Sequence, residues 1–109
     1  MEQFIVTAAL PYANGPLHIG HIAGAYLPSD IFVRYQKLKA KKIIFICGSD
    51  EHGAAITLRA KKENKSPEEI VDFYHNLNDN CFKKLNIEFD IYDRTSSKLH
   101  HKTASDFFA

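Results

Sequence analysis

Two histidines and a glycine, in the run His18-Ile19-Gly20-His21, are the residues whose types and spacing best suit chemistry. A spacing of three places both imidazoles on one face of the first turn of a helix. The N–H groups of that turn are unpaired and attract phosphate oxygens. The imidazoles can donate hydrogen bonds to oxygens that gain charge in a transition state, and Gly20 leaves room for a base or ribose. The run therefore predicts a phosphate-binding turn, and an exposed histidine pair on a helix is the alternative.

A second polar cluster lies in the loop Gly48-Ser49-Asp50-Glu51-His52-Gly53. Asp50 can hold an ammonium group, because a carboxylate that faces a bound amine orients the substrate. As an alternative, Ser49 or Asp50 caps the helix predicted from about Ala54 to Asn64, and both roles can coexist.

Apolar runs precede both clusters. Residues Gln3 to Ala9 stop before Pro11 and predict a buried strand of a parallel sheet, and Ile43 to Cys47 predict a second one. Open α/β sheets bind ligands just outside the carboxyl ends of their strands. The two clusters are therefore expected to meet at one edge of the sheet.

The remaining periodicities complete an α/β pattern. The first helix is expected to use one apolar face and to kink or break at Pro28, and Ser66 and Pro67 open a later helix with a capping box. The predicted apolar face of the first helix consists of Ile19, Ile22, Tyr26, Ile31, Tyr35 and Leu38. That of the later helix consists of Ile70, Tyr74, Leu77, Cys81 and Leu85. A third strand is predicted from Asn86 to Tyr92, and a helix opens at Thr95 to Ser97. This order is one half of a doubly wound parallel sheet.

Composition restricts the class of protein. A formal net charge of +1 is unlike that of a dedicated nucleic-acid module, and the lysine clusters are expected to be helix ends or solvated faces. Cys47 and Cys81 are isolated, so neither zinc ligands nor a disulfide framework is indicated. Neither a secretion signal nor a membrane span is suggested, which agrees with a cytoplasmic protein.

The run from Ala9 to His21 reads Ala-Leu-Pro-Tyr-Ala-Asn-Gly-Pro-Leu-His-Ile-Gly-His, and it resembles the first signature of the class I aminoacyl-tRNA synthetases. Relatives specific for leucine, isoleucine or valine share the His-x-Gly-His ending, whereas Leu-Pro-Tyr-Ala-Asn-Gly is the form of the methionyl-tRNA synthetase family. The stretches 34–36, 45–53 and 100–103 are similar to the same family. The resemblance covers essentially the whole chain.

The resemblance implies roles for the nucleotide-binding residues. His18 and His21 would stabilise the phosphates while methionine attacks the α-phosphate of ATP. Gly20 would let the adenosine lie against the backbone, and Asn14 would help to hold the nucleotide. Magnesium would arrive with ATP, and no zinc ligand is expected in this segment.

The resemblance also implies a methionine pocket. Leu10 and Tyr12 would line it and Asp50 would bind the amino group, although a place in the core is an alternative for Tyr12. The family transfers the activated methionine to the terminal ribose of its tRNA. Its catalytic domain is much longer than this chain, so residues 1–109 are expected to be the N-terminal portion of a Rossmann-like domain that stops within a helix. Such a fragment is expected to be inactive alone.

Two other enzyme classes remain open. A nucleotidyltransferase outside the synthetases would use a similar histidine turn. A metal-dependent hydrolase would use His18, His21, Asp50 and His52 as ligands, and zinc binding abolished by His21→Ala would identify it.

Overall fold

A three-stranded parallel sheet, in the order β1-β2-β3, organises the computed structural model, which describes residues 2–109. The strands are β1 Gln3–Thr7, β2 Lys42–Ser49 and β3 Ile91–Arg94. The helices are α1 Ile19–His21, α2 Leu27–Leu38, α3 Ala54–Glu63, α4 Pro67–Lys84 and α5 Lys98–Phe108, with a π-helical segment Ile22–Tyr26 between α1 and α2. Parallel strands alternating with helices confirm the predicted α/β class.

One face of the sheet carries the core. Ile43, Phe45 and Cys47 of β2 pack against residues of α2 and α4, among them Val33 and Phe82. The opposite face is open in the part of the chain described, with Ile5, Ile44 and Ile91 exposed by 68%, 39% and 50%. The prediction of a buried first strand is therefore wrong: β1 is an edge strand, ends at Thr7, and has only one covered face.

The predicted apolar face of the first helix is correct at Ile22 and Tyr26, which pack in the core, and wrong at the exposed residues Ile19, Ile31, Tyr35 and Leu38. Ile31 follows Tyr26 by five positions, which is about 140° around an α-helix, and it is 58% exposed. Asp30 takes the inward position instead and is 5% exposed. Its carboxylate accepts from Arg34 Nε at 2.6 Å and from the Glu88 N–H at 3.4 Å, so a polar residue is tolerated there.

Pro28 does not break this helix. The α-helical pattern changes before it to a π-helical one, in which the Leu27 N–H donates to the Ile22 oxygen, five residues earlier. Pro28 then occupies the first turn of α2, where a missing N–H is tolerated.

The capping box predicted for α4 is confirmed. Ser66 Oγ accepts the Glu69 N–H at 3.1 Å, and the Glu69 carboxylate accepts the Ser66 N–H at 2.7 Å. The buried face is correct at Ile70 and Tyr74 but wrong at Leu77 and Leu85, which are 39% and 46% exposed. The buried positions of α4 are Ile70, Val71, Tyr74, Asn78 and Phe82.

The third strand begins at Ile91 rather than Asn86. Just before it, the Asp90 N–H donates to the Phe45 oxygen at 2.8 Å, but the Phe45 N–H donates to the Asp90 carboxylate at 2.7 Å, so a side chain takes the place of one backbone acceptor. Helix α5 begins as predicted, and Ser97 caps it by accepting the His100 N–H at 3.1 Å. Among the helices within residues 2–109, none has the length and apolar character needed to cross a membrane.

Candidate functional site

The two signature histidines hold each other at the start of α1. His18 is the N-cap residue, and its Nδ1 accepts the N–H groups of Gly20 at 3.1 Å and of His21 at 3.3 Å. In return, Nδ1 of His21 accepts the His18 N–H at 3.3 Å. The arrangement is a capping box built from imidazoles instead of the usual serine and glutamate. The helix start predicted at these residues is confirmed, whereas the strand before them ends at Thr7, so a loop and not a direct change from strand to helix precedes His18.

These contacts fix the tautomer of both rings. A ring nitrogen that accepts a backbone N–H carries no hydrogen, so each neutral imidazole carries its N–H on Nε2. The rings stack with centroids 3.6 Å apart and an interplanar angle of 19°, and both side chains are exposed. Within residues 2–109, no protein group forms a hydrogen bond with Nε2 of either ring. The prediction of unpaired N–H groups is therefore wrong at Gly20 and His21, which already donate to His18. The two parallel Nε2–H groups are the donors that this turn offers to phosphate oxygens.

Gly20 is needed for this geometry. A Cβ at position 20 would lie 3.0 Å from Cε1 and 3.1 Å from Nδ1 of His18. Such an approach is tighter than normal contact, so a side chain here would push the His18 ring away from the backbone it caps. The prediction that Gly20 also admits an adenosine remains a prediction.

A cleft of about 330 Å³ lies between the loop that follows β1 and the first helix. Four of the predicted site residues line it, namely Leu10, Tyr12, Asn14 and His21. His18, Gly20 and Asp50 do not line it directly. Tyr26 closes the inner side, and burial raises its pKa to about 12, so its phenol stays protonated and available to donate.

Asp50 is joined to the loop that carries Tyr12. A parallel β-bridge links the two residues, the Asp50 N–H donates to the Pro11 oxygen at 2.9 Å, and the Ala13 N–H donates to the Asp50 oxygen at 2.8 Å. The Asp50 loop therefore meets the loop that leads into the histidine turn at the carboxyl edge of the sheet, while the predicted meeting with the histidines themselves stays a prediction.

The alternative roles predicted for Ser49, Asp50 and Tyr12 have different outcomes. Helix α3 begins after Gly53, which makes no side-chain cap, so neither Ser49 nor Asp50 caps it. Tyr12 is partly buried against the cluster around Ala13 and Ile56 while it also lines the cleft. Tyr12 thus packs against the core and also lines the cleft, so its two alternative positions coexist.

Two residues that the sequence analysis missed support the loop before the histidines. Arg59 Nη1 donates to the Asn14 oxygen, and its guanidinium lies 4.7 Å above the Tyr74 ring. Asn78, 1% exposed, accepts the Leu17 N–H at 3.2 Å. No spacing in the sequence indicates these long-range contacts, and the single available signal is a polar residue on an otherwise apolar face of α4.

The metal-hydrolase alternative does not fit the geometry. His52 Nε2 lies 3.3 Å from the Thr95 oxygen and 3.5 Å from His101 Nε2, away from the paired rings of the signature. In the described part of the chain, no three His, Cys, Asp or Glu side chains converge as a metal site would require.

Comparison with known proteins gives concordant matches. Residues 4–109 match the family model described as tRNA synthetases class I (M). The methionine–tRNA ligase of Bacteroides fragilis is 61% identical over 107 residues, which make up 98% of this chain and 16% of that protein. The ligase of the same name from Chlorobium phaeovibrioides is 58% identical over 111 residues, 99% of this chain and 16% of that protein.

Solved structures agree. The Mycobacterium tuberculosis methionyl-tRNA synthetase in complex with methionyl-adenylate superposes with a TM-score of 0.95 at 27% identity, over 99% of this chain and 21% of that chain. The present chain thus spans about 16% of the length of the two curated relatives. The superposition identifies the sheet as the N-terminal part of a Rossmann-like domain. Since the family match extends over residues 4–109, the chain belongs to the class I tRNA synthetases of the methionine group.

Proposed function

We propose that residues 1–109 form the N-terminal portion of the Rossmann-like catalytic domain of a methionine–tRNA ligase. The observation that carries the proposal is that the Asp50 strand end is hydrogen-bonded to the loop before the histidine turn, whose Pro11 and Tyr12 line one cleft together with His21. The reaction is methionine plus ATP to methionyl-adenylate and pyrophosphate, followed by transfer of methionine to the terminal ribose of its tRNA.

The histidine turn serves the adenylation step. A carboxylate oxygen of methionine attacks the α-phosphorus of ATP, and the bond to the pyrophosphate oxygen breaks. Negative charge on the phosphate oxygens is stabilised by the Nε2–H groups of His18 and His21 and by the helix start, with no protein nucleophile. Gly20 and Asn14 contact the nucleotide, and magnesium enters with the phosphates and neutralises part of their charge.

The methionine half uses the other predicted residues. Asp50 receives the substrate ammonium, and Leu10 and Tyr12 form apolar walls for the thioether side chain. A pocket with few polar groups and several apolar ones is the usual form of a small-ligand site. Leu10 is 53% exposed and available for such contact.

The tRNA for methionine would be bound largely by parts of the enzyme outside residues 1–109, and the cytoplasm is the proposed compartment. The isolated 109-residue chain is expected to catalyse no detectable adenylation, because it supplies half of the crevice that doubly wound folds use.

The test of the function is ATP–pyrophosphate exchange by the full-length protein that contains this chain, with methionine, leucine, isoleucine and valine compared. Exchange that depends on methionine supports the proposal, and exchange with another amino acid contradicts it. The isolated chain is tested by amide NMR titration with a non-hydrolysable methionyl-adenylate analogue and its leucyl counterpart as control. Shifts at Tyr12, Gly20 and Asp50 with the methionyl compound alone would show that this half of the site is preformed.

A further inference from the structure

A buried carboxylate follows Asp50 in the chain and has no part in the mechanism above. The Glu51 side chain has no exposed surface. Arg94, at the end of β3, places Nε 2.8 Å from both carboxylate oxygens and Nη2 2.5 Å from Oε1. Arg94 Nη2 also donates to Asp72 Oδ1 of α4 at 2.6 Å. A two-pronged contact of this kind fixes both side chains in one geometry, and its loss would leave a buried charge unpaired.

Hydroxyl and imidazole groups complete the surroundings of Glu51. Ser49 Oγ lies 2.9 Å from Glu51 Oε2 and 2.7 Å from His75 Nδ1. An ionised carboxylate only accepts, so the Ser49 hydrogen is donated to Glu51, and His75 donates to Ser49. The backbone N–H of Glu51 donates to Thr95 Oγ1 at 2.9 Å. Glu51 is thus connected to β2, to β3 and to α4.

The network holds the chain on both sides of Asp50. Ser49 and Glu51 are members of it, whereas the Asp50 carboxylate accepts no hydrogen bond within residues 2–109. The position of that carboxylate therefore depends on the backbone at Asp50, which pairs with Pro11 and Ala13. The histidine turn has its own local contacts and receives none from Glu51 or Arg94.

We propose that Glu51 and Arg94 are positioning residues for the methionine half of the site, because their ion pair fixes the chain beyond β2 and hence the place of the Asp50 carboxylate. The proposal rests on the proposed function, in which Asp50 receives the substrate ammonium. A disturbed ion pair is therefore expected to weaken recognition of the amino acid and to leave recognition of ATP intact.

The test uses Arg94→Lys in the full-length protein. Lysine keeps the positive charge beside Glu51 but loses the planar fork, so the carboxylate is not left unpaired. In ATP–pyrophosphate exchange, the KM for methionine should rise about tenfold to a hundredfold, as small misplacements of a binding group do, while the KM for ATP and kcat stay near their wild-type values. Lys83→Met is the matched control, because it removes an exposed ion pair with Asp79 on α4.

A second ligand distinguishes positioning of the Asp50 carboxylate from a general effect on the shape of the methionine pocket. Deaminated methionine (4-methylthiobutanoate) lacks the group that Asp50 would receive, so its inhibition constant against methionine should be the same in wild type and Arg94→Lys. In an Asp50→Asn background, Arg94→Lys should add no further rise in the KM for methionine. Glu51→Gln keeps the size of the side chain and one acceptor oxygen but loses the charge and the second acceptor, and it should show the same split if Arg94→Lys folds poorly.

Two results would overturn the inference. One is a parallel rise in the KM values for methionine and ATP. The other is a rise in the inhibition constant of the deaminated compound by the same factor as the KM for methionine. The amino acid that the wild-type protein activates tests the proposed function separately. If the wild type activated leucine, the proposed function would be wrong. The ratio of the KM for leucine in Arg94→Lys to that in the wild type would still test the positioning role of Arg94.

Discussion

His18 combines a helix cap with a proposed phosphate donor, and two substitutions separate these roles. In His18→Asn, the side-chain oxygen can still accept the N–H groups of Gly20 and His21, because asparagine is among the best N-cap residues. The substitution removes the imidazole Nε2–H. His18→Ala removes the cap and the donor together.

The expected magnitudes differ for the two roles. Loss of the cap costs about 1 kcal/mol, which corresponds to about fivefold faster hydrogen exchange at the Gly20 and His21 amides. Loss of one transition-state donor costs about 2.7–4 kcal/mol, or about 10²–10³ in kcat. We therefore expect His18→Asn to keep wild-type amide exchange and to lose about 10²–10³ in adenylation rate. His18→Ala should show both losses.

The assays are hydrogen exchange followed by mass spectrometry and ATP–pyrophosphate exchange at saturating substrates, both on the full-length protein. Ser66→Ala is the control, because it removes a cap of the same kind from α4, where Ser66 Oγ accepts the Glu69 N–H at 3.1 Å. It should accelerate exchange locally and leave adenylation unchanged. Wild-type adenylation by His18→Asn would refute the phosphate role, and unchanged amide exchange in His18→Ala would refute the capping role.

Three further predictions concern the core and the network. Gly48→Ala should lower the free energy of unfolding by about 1–3 kcal/mol in urea titration. Its Cβ would lie 2.7 Å from the Asp93 backbone oxygen, whereas Gly24→Ala, with no atom within 4 Å, should not be destabilising. Burial raises the pKa of Cys47 to about 11, so iodoacetamide at about pH 8 should alkylate it at least about a hundredfold more slowly in folded than in urea-unfolded protein, and equal rates would contradict this. Burial, followed by a nearby arginine charge, lowers the pKa of His75 from its ordinary 6.5, so the unfolded chain binds the proton first. The free energy of unfolding should therefore fall as the pH drops below about 6.5, and His75→Gln should reduce that slope in urea titrations.

Features set by neighbouring residues could be predicted from the sequence. The capping box of Ser66 and Glu69 involves residues three apart, and the histidine turn is equally local. Parallel strands β1 and β2 followed from apolar runs that end in turn residues. In each case the physical cause lies within a few positions of the chain, where periodicity and capping rules apply.

Features set by long-range contacts could not be predicted. Asp30 is buried because it accepts the Glu88 N–H from 58 residues away, and the start of β3 is delayed because Asp90 accepts the Phe45 N–H from 45 residues away. Both contacts place a polar side chain where periodicity alone favours an apolar residue or a strand. Nothing in local spacing distinguishes these aspartates from solvated ones.

The two halves of the candidate site also differ in whether local or long-range contacts hold them. This difference predicts how each half responds to destabilising substitutions. The imidazoles of the proposed nucleotide half are held by contacts between residues two or three positions apart. In our proposal the Asp50 half depends on the contacts of Glu51 with Arg94 and Thr95, which lie 43 and 44 residues away from their partners. A change that loosens β3 is therefore expected to displace Asp50 while α1 keeps its cap, whereas a change in α4 also reaches the loop before the histidines, because Asn78 accepts the Leu17 N–H. Methionine recognition should be lost before nucleotide recognition as the sheet is destabilised.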